Sequence, residues 1–394
     1  MLKFEVLSRS GEARRGRLIT AHGVVETPTF MPVGTKGAVK GLTAQELEAA
    51  GATVMLANLY HLTLRPGIEI IERLGGIHQF TGWHGPILTD SGGYQVFSLA
   101  KLRKIDPEGV TFRSHLDGSL VRFTPQSVVE SQCRLGVDIA MVLDECPPWP
   151  IDEKGAAASL DLTMRWAERA REAWPESYPG YLFGIVQGSV YRGLREQAVQ
   201  RSIALDFPGY AVGGVSVGES TEQRRSVVEW TAPLLPDDKP RYLMGLGTPL
   251  DLLHAVRHGV DLFDCVLPAR NARHGLLFTR HGTLRIKNAR FREDPRPIDE
   301  ACTCPVCRRQ SRALLHHLVR SGELTGAVLA TIHNVRYYLD FMADLREGVE
   351  LGTLADLAQE ITGRYADGSP PATTARTSAS PSGAAEARLT RSGS

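Results

Sequence analysis

Ile139-Ala140-Met141-Val142-Leu143-Asp144 and Leu182-Phe183-Gly184-Ile185-Val186-Gln187 are runs of apolar residues that each stop abruptly on one polar side chain. A strand covered on both faces has no polar alternation, so a short continuous apolar run bounded by a polar residue is its signature. The same pattern recurs in both directions from this pair. Val54-Met55-Leu56-Ala57-Asn58 and Pro86-Ile87-Leu88-Thr89-Asp90 precede it, while Tyr210-Ala211-Val212-Gly213-Gly214, Tyr242-Leu243-Met244-Gly245 and Leu262-Phe263-Asp264 follow. Amphipathic stretches of helical spacing lie between them, at residues 124–135, 156–173, 193–205, 222–234 and 249–258. Strand and helix alternate, which requires a parallel sheet. Seven such units plus an N-terminal segment match a closed (β/α)8 TIM barrel of ~250 residues with insertions, ahead of an open doubly wound sheet. In a barrel the carboxyl ends of all strands meet at one mouth, so Asn58, Asp90, Asp144, Gln187, Gly214 and Asp264 are expected to face a common pocket. Any one strand-end Asp also makes a good helix N-cap, but capping does not explain the whole set.

The segment from Val110 to Phe123 alternates around Asp117-Gly118 and is expected to be a β-hairpin inserted beside the mouth. Beyond Gly368 the chain is Ser, Ala, Thr, Gly, Pro and Arg with almost no large apolar residue, the composition of a disordered tail. The expected organisation is therefore a barrel domain over residues 1–297, a metal-binding subdomain with C-terminal helices over 298–366, and a tail over 367–394. No apolar stretch approaches the ~20 residues needed to span a bilayer and the first ten residues lack a signal-peptide core, so a cytoplasmic protein without membrane contact is expected.

The six cysteines are unevenly placed, with Cys302, Cys304 and Cys307 crowded together and the others solitary. Three thiolates and an imidazole make a closed tetrahedral zinc set, hence one structural Zn2+ per subunit. His333 completes the set in a stretch of helical pattern from Ser311 to Leu345; His316 and His317 compete for the place, and spacing leaves the histidine open. The net charge of +1 carries no general nucleic-acid signal. The distribution does: Arg270, Arg273, Arg280, Arg285, Lys287, Arg290, Arg292 and Arg296 face only Glu293 and Asp294 in that stretch, a stripe able to hold phosphates.

The run Thr89-Asp90-Ser91-Gly92-Gly93-Tyr94-Gln95-Val96-Phe97-Ser98, then Asp144-Glu145-Cys146, residues 184–188, 213–219 and 242–245, Phe263-Asp264-Cys265-Val266 and Arg270-Asn271-Ala272-Arg273 are similar, in order and spacing, to the bacterial tRNA-guanine transglycosylases. The likeness covers residues 1–366. It implies exchange of guanine at the anticodon wobble position of tRNA for 7-aminomethyl-7-deazaguanine (preQ1), through a covalent aspartyl-ribose intermediate, as a step of queuosine biosynthesis. In that family's pattern Asp264 matches the nucleophile and Asp90 the general acid/base, chemistry that suits an oxocarbenium-like transition state. Asp144 matches the acceptor for the donor edge of the base, Gln187 and the Gly214 backbone the donors to its carbonyl, and Tyr94 and Met244 a stacking clamp. Cys146 and Val217 resemble bacterial members, in which the pocket wall excludes bulky queuine. Glu219 and the carbonyl of Val215 would meet the ammonium of the precursor base. Arg270 and Arg273 would grip the anticodon loop, and a homodimer is implied. Ala269 and His274 depart from the common pattern and bear on flanking nucleotides, not on the chemistry. The alternatives are an archaeosine-type transglycosylase, a non-catalytic tRNA-binding relative and, from another class, a barrel hydrolase of small sugars.

Overall fold

The computed structural model describes residues 3–99 and 103–366. Eight parallel strands form the barrel: β1 (Thr29–Gly34), β2 (Met55–Asn58), β3 (Ile87–Asp90), β4 (Ile139–Met141), β5 (Tyr181–Val186), β6 (Gly209–Val212), β7 (Arg241–Leu243) and β8 (Leu262–Cys265). Each pairs with the next, and β8 pairs with β1 from Leu262↔Thr29 to Cys265↔Pro32, which closes the ring. The expected TIM barrel is thus the observed fold and the doubly wound sheet is not. Strands β2, β4, β5, β6 and β7 are buried at every residue because side chains fill the interior while helices cover the outside. The strand that was only an unplaced N-terminal segment is Thr29-Phe30-Met31-Pro32-Val33-Gly34.

The helices expected between strands are present as Pro125–Leu135, Glu153–Ala173, Arg192–Ala204, Thr221–Thr231 and Pro249–Arg257. Their starts are set by caps. Thr124 and Ser220 form capping boxes, and Asp152 accepts the Gly155 N–H at 2.8 Å, so its helix begins three residues earlier than the apolar period suggested. The inserted hairpin carries a third strand: Arg103–Asp106, Gly109–Arg113 and Leu120–Phe123 form one antiparallel sheet. Arg103-Lys104-Ile105-Asp106 is too polar and too short to read as a strand on its own, and pairing with Gly109–Arg113 is what orders it.

The end of the barrel opposite the mouth is covered by an antiparallel sheet of Lys3–Ser10, Ala13–Thr20 and Gly23–Thr27. Its anchor is the fully buried Arg14, which pairs with Asp261 at the start of β8 and donates to the carbonyls of Asp237 (2.9 Å) and Lys239 (2.6 Å). Every polar atom of this buried pair is used, which is the condition for keeping ions out of water.

After β8 a second, smaller core gathers Ala272, Leu277, Leu284, Phe291, Val306 and Leu315. The helical pattern expected from Ser311 to Leu345 is two helices, Arg312–Ser321 and Leu324–Glu350, because Gly322 takes a left-handed conformation (φ 74) that ends the first. The long helix serves both cores, with Ala330 in the small one and Val335, Tyr338 and Met342 in the large one. Its Asn334 is buried, accepts the Phe278 N–H at 3.1 Å and donates to the carbonyls of Pro268 and Leu276 at 3.0 Å each. The small core is thereby tied to the segment that follows β8. The tail at residues 367–394 lies outside the described residues.

Candidate active site and metal cluster

Asp264 ends β8 with one oxygen committed. Its Oδ1 accepts the hydroxyl of Tyr242 at 2.6 Å and the N–H of Gly245 at 2.8 Å, while no described residue donates to Oδ2. Burial raises the Asp264 carboxyl, and the two donors pull it partly back. Tyr242 is buried, and burial together with the adjacent carboxylate holds its phenol far above its ordinary value, so it stays a donor. Asp90 ends β3, beside Asn58 at the end of β2. Its Oδ1 accepts the N–H groups of Leu59 (3.1 Å) and Gly92 (3.2 Å), and its Oδ2 accepts from the Asn58 amide. Burial pushes the Asp90 carboxyl up to about 7, and the charge of Asp264 adds to that push against the pull of these donors. The two carboxyl groups therefore share one mouth and feel each other.

A second group lies deeper. Asp144 is buried, accepts the Gln187 amide on Oδ2 at 2.6 Å and faces the Ser91 hydroxyl at 3.5 Å; burial raises its carboxyl to about 6. Gly93 is needed here, since a Cβ on it would stand 2.7 Å from Asp144 Oδ1. Gln187 was expected to present its amide to a ligand carbonyl. One of its N–H groups is instead spent on Asp144, and its Oε1 is buried with no partner among the described residues. Gly214 has φ 64, and a Cβ there would collide with that same Oε1. Gly214→Ala is expected to cost about 1–2 kcal/mol of stability from the left-handed backbone alone and to displace the Gln187 side chain; a melting curve identical to the parent's would show that the position carries no such strain.

Arg195, inside the helix Arg192–Ala204, is wholly buried and fastens the ends of β5 and β6. It donates to the carbonyls of Ser189 (2.7 Å), Val186 (2.9 Å), Gly213 (2.8 Å) and Gly214 (3.3 Å), and burial lowers its guanidinium to about 10. Glu219 is buried and takes the N–H groups of Ser216 (2.5 Å) and Val217 (2.9 Å). The carbonyl of a planar trans peptide points opposite to its N–H, so the Val215 carbonyl is turned away from Glu219. Val215 is buried and Val217 half-buried. Met244 lies against Gly213, and Tyr94, in the first turn of the helix Gly93–Leu99, is 48% exposed. Burial pushes the Cys146 thiol up to about 12, which leaves it a neutral wall group rather than a nucleophile.

Arg270 is exposed on the helix Leu267–Arg273, whereas Arg273 is half-buried and donates to the Ala269 carbonyl at 2.8 Å. The basic stripe is smaller than its residue count. Arg296 is spent on Asp294 (2.8 Å) and Arg280 lies 3.9 Å from Asp344, while Arg285, Lys287, Arg290 and Arg292 are exposed with no acidic partner among the described residues.

Cys302, Cys304, Cys307 and His333 bring their ligand atoms within 4.8 Å of one another, a cluster able to hold a metal ion. Pro305 opens the short helix Pro305–Arg309, and the Cys304 sulfur caps it by accepting the Cys307 N–H at 3.4 Å. Hydrogen bonds from Cys302 and Cys307 pull the Cys304 thiol well below its ordinary range, which favours the thiolate a metal ion needs. His333 is buried and points Nδ1 at Cys307 (3.3 Å) while Nε2–H is donated to the Phe278 carbonyl at 2.7 Å, which fixes the ring for ligation through Nδ1. The choice among histidines is thereby made: His316 bonds the Ile286 carbonyl at 2.8 Å and His317 is exposed.

With the mouth and the metal cluster in place, comparison with known proteins gives one answer. A family model described as queuine tRNA-ribosyltransferase matches residues 9–367. The chain belongs to the queuine tRNA-ribosyltransferase family. Proteins of that name from Marinobacter nauticus (50% identical, over 94% of this chain and 99% of the relative), Desulforudis audaxviator (54%, 88% and 94%) and Nitrosomonas europaea (52%, 92% and 98%) are similar along nearly their whole length.

For this queuine tRNA-ribosyltransferase family member, reading the residues in order left out the groups that hold the site. Tyr242 was visible only as an apolar strand residue, and Arg195 as one more cation on an amphipathic helix. A large polar residue at a position whose neighbours are all interior is the one signal that could have found them.

Proposed function

We propose that the chain exchanges guanine at the wobble position of tRNA for 7-aminomethyl-7-deazaguanine. The observation that carries this reading is the pair at the mouth: Asp264, with one oxygen fixed by Tyr242 and Gly245 and the other uncommitted, beside Asp90 with its carboxyl near 7. Asp264 Oδ2 attacks C1′ of the ribose as the bond from C1′ to the guanine nitrogen breaks, and Asp90 gives the departing base its proton. The incoming base returns a proton to Asp90 as its nitrogen displaces the Asp264 ester, so charge and atoms balance over the cycle. Asp144 accepts from the donor edge of the base, and the second N–H of the Gln187 amide serves its carbonyl. Tyr94 and Met244 sandwich the ring. Cys146 and Val217 wall the side where queuine would need room, and the Val215 carbonyl receives the ammonium, with Glu219 holding that loop in shape.

Arg270, Arg273 and the exposed part of the basic stripe take the phosphates of the anticodon loop. Cys302, Cys304, Cys307 and His333 hold one Zn2+, whose thiolate-rich closed set supplies structure and no open position for chemistry. In this reading residues 298–366 form the metal-binding subdomain on a barrel of residues 1–297, and a homodimer in the cytoplasm is the working form. The exposed Leu314 and Leu324, on the two helices that follow the cysteines, are what a dimer interface would cover. No helix among the described residues is long and apolar enough to cross a membrane.

Incubation with labelled guanine and unmodified tRNA is the test. Label at the wobble base is expected; label in the D-arm would point to the archaeosine-type reaction, and none to a non-catalytic tRNA binder. The pH profile is a second check. Asp144 must be ionised to accept and Asp90 protonated to donate, so kcat/KM should rise through about 6, fall through about 7, and peak between them. A profile flat from about pH 5 to about pH 9 is incompatible with these roles.

A further inference from the structure

At the end of the barrel opposite the mouth, three side chains from distant segments turn their ligand atoms toward one another. His22 lies in the turn between Ala13–Thr20 and Gly23–Thr27, His78 in the short helix Ile77–Thr81, and Asp138 immediately before β4. His22 Nδ1 is 3.0 Å from Asp138 Oδ1, His78 Nε2 is 3.2 Å from Asp138 Oδ2, and all three ligand atoms lie within 4.8 Å of one another. Both spacings are those of hydrogen bonds, to different oxygens of the one carboxylate, and they also match the about 3.0–3.4 Å between neighbouring ligand atoms of an ion with bonds of about 2.1 Å, which would take the place of the bridging protons. The two imidazoles stack at 3.6 Å between centroids and 15° between planes, so their nitrogen edges face the same carboxylate. That carboxylate is rigid: the N–H groups of Ile87 (3.0 Å) and His22 (3.2 Å) hold it, as outer hydrogen bonds orient metal ligands elsewhere. Beside it opens a cavity of about 630 Å³, lined in part by Gly76, Gln79, His84 and Tyr178, with room for waters to complete a coordination shell.

We propose that His22, His78 and Asp138 form a second metal site, separate from the Cys3His cluster, for a divalent first-row transition ion such as zinc, cobalt or nickel. Two imidazoles and one carboxylate suit these ions and not magnesium or calcium, which demand mostly oxygen. The ion joins the N-terminal sheet, through His22, to the barrel, through Asp138 and His78. It therefore stabilises the closed end of the barrel and takes no part at the mouth.

The test titrates the full-length chain, with the Cys3His cluster already filled by zinc, with Co2+ in a calorimeter and a spectrophotometer. Uptake of one further ion per chain is expected, with weak ligand-field absorption, no thiolate-to-cobalt charge-transfer band, and a melting temperature that climbs with cobalt concentration. His22→Gln and His78→Gln should each weaken this uptake by at least about tenfold while the tightly held zinc and base exchange stay as in the parent. His84→Gln, which alters the cavity wall and an exposed contact with Glu48 but none of the three ligands, should bind as the parent does. His22 sits on a turn with its side chain 40% exposed, so its variant folds even if the His78 variant does not. No cobalt uptake beyond the cluster, a thiolate band accompanying the uptake, or parental affinity in His22→Gln would each overturn the proposal.

Discussion

Asp264→Asn is expected to abolish base exchange and the covalent RNA adduct while leaving the protein folded. The amide keeps the shape of the carboxylate, and its oxygen can still accept from Tyr242 and Gly245, whose donors hold Oδ1 at 2.6 and 2.8 Å. What is lost is the oxygen at the Oδ2 position, replaced by an amide nitrogen with no usable lone pair. Without a nucleophile the two-step displacement has no intermediate, and a loss of at least about 10⁴-fold in kcat, or about 5 kcal/mol of transition-state stabilisation, should follow. The melting temperature should not fall, because a buried carboxylate held above its ordinary range is costly to the fold and its neutral isostere is not. Exchange of labelled guanine, a denaturing gel of the RNA adduct and a melting curve read the three parts separately. Exchange within tenfold of the parent would sink the assignment of Asp264.

Cys304→Ser, or removal of the metal by a chelator, is expected to destabilise the protein rather than to block chemistry directly. Cys304 lies in the small core, caps the helix Pro305–Arg309 and stands among two other sulfurs and His333. Without an ion, three sulfurs and an imidazole are left crowded together, mostly buried, with no cation to hold them in place. Structural zinc in isolated zinc-finger peptides is worth about 10–16 kcal/mol, and a site leaning on a large barrel should lose on the order of 5 kcal/mol, or about 10 °C in melting temperature. The loss should spread toward the mouth along a defined route, since His333 and Asn334 together hold Phe278, Leu276 and Pro268, and Pro268 lies in the helix that carries Arg270 and Arg273. Affinity for tRNA should therefore fall before the rate of the chemical step does. Metal content, calorimetry and single-turnover exchange on the same sample decide it; an unchanged melting curve with exchange abolished would mean the metal acts in catalysis.

The barrel was legible because burial on both faces strips a strand of polar alternation, so Ile139 to Asp144 and Leu182 to Gln187 announce themselves without any partner. The three cysteines were legible for a similar reason, as their chemistry lies in residue type and short spacing. The fourth ligand was not, since His316, His317 and His333 look alike until one of them is buried with its far nitrogen on the Phe278 carbonyl. The N-terminal sheet was missed because its first two strands carry arginines, and Arg14 becomes an interior residue only when Asp261 meets it from 247 residues away.

Residue type and local period thus determined on their own that this chain closes a parallel barrel, that carboxylates stand at or just beyond the mouth ends of three of its strands, and that a thiolate cluster follows. Tertiary structure alone decided that Tyr242 would hold Asp264, that Asp90 would titrate near 7, and that His22 and His78 would meet at Asp138. Periodicity is a property of neighbours along the chain, whereas desolvation and hydrogen bonding depend on which distant segments the fold packs together, and those two effects set the chemistry of every group at the mouth.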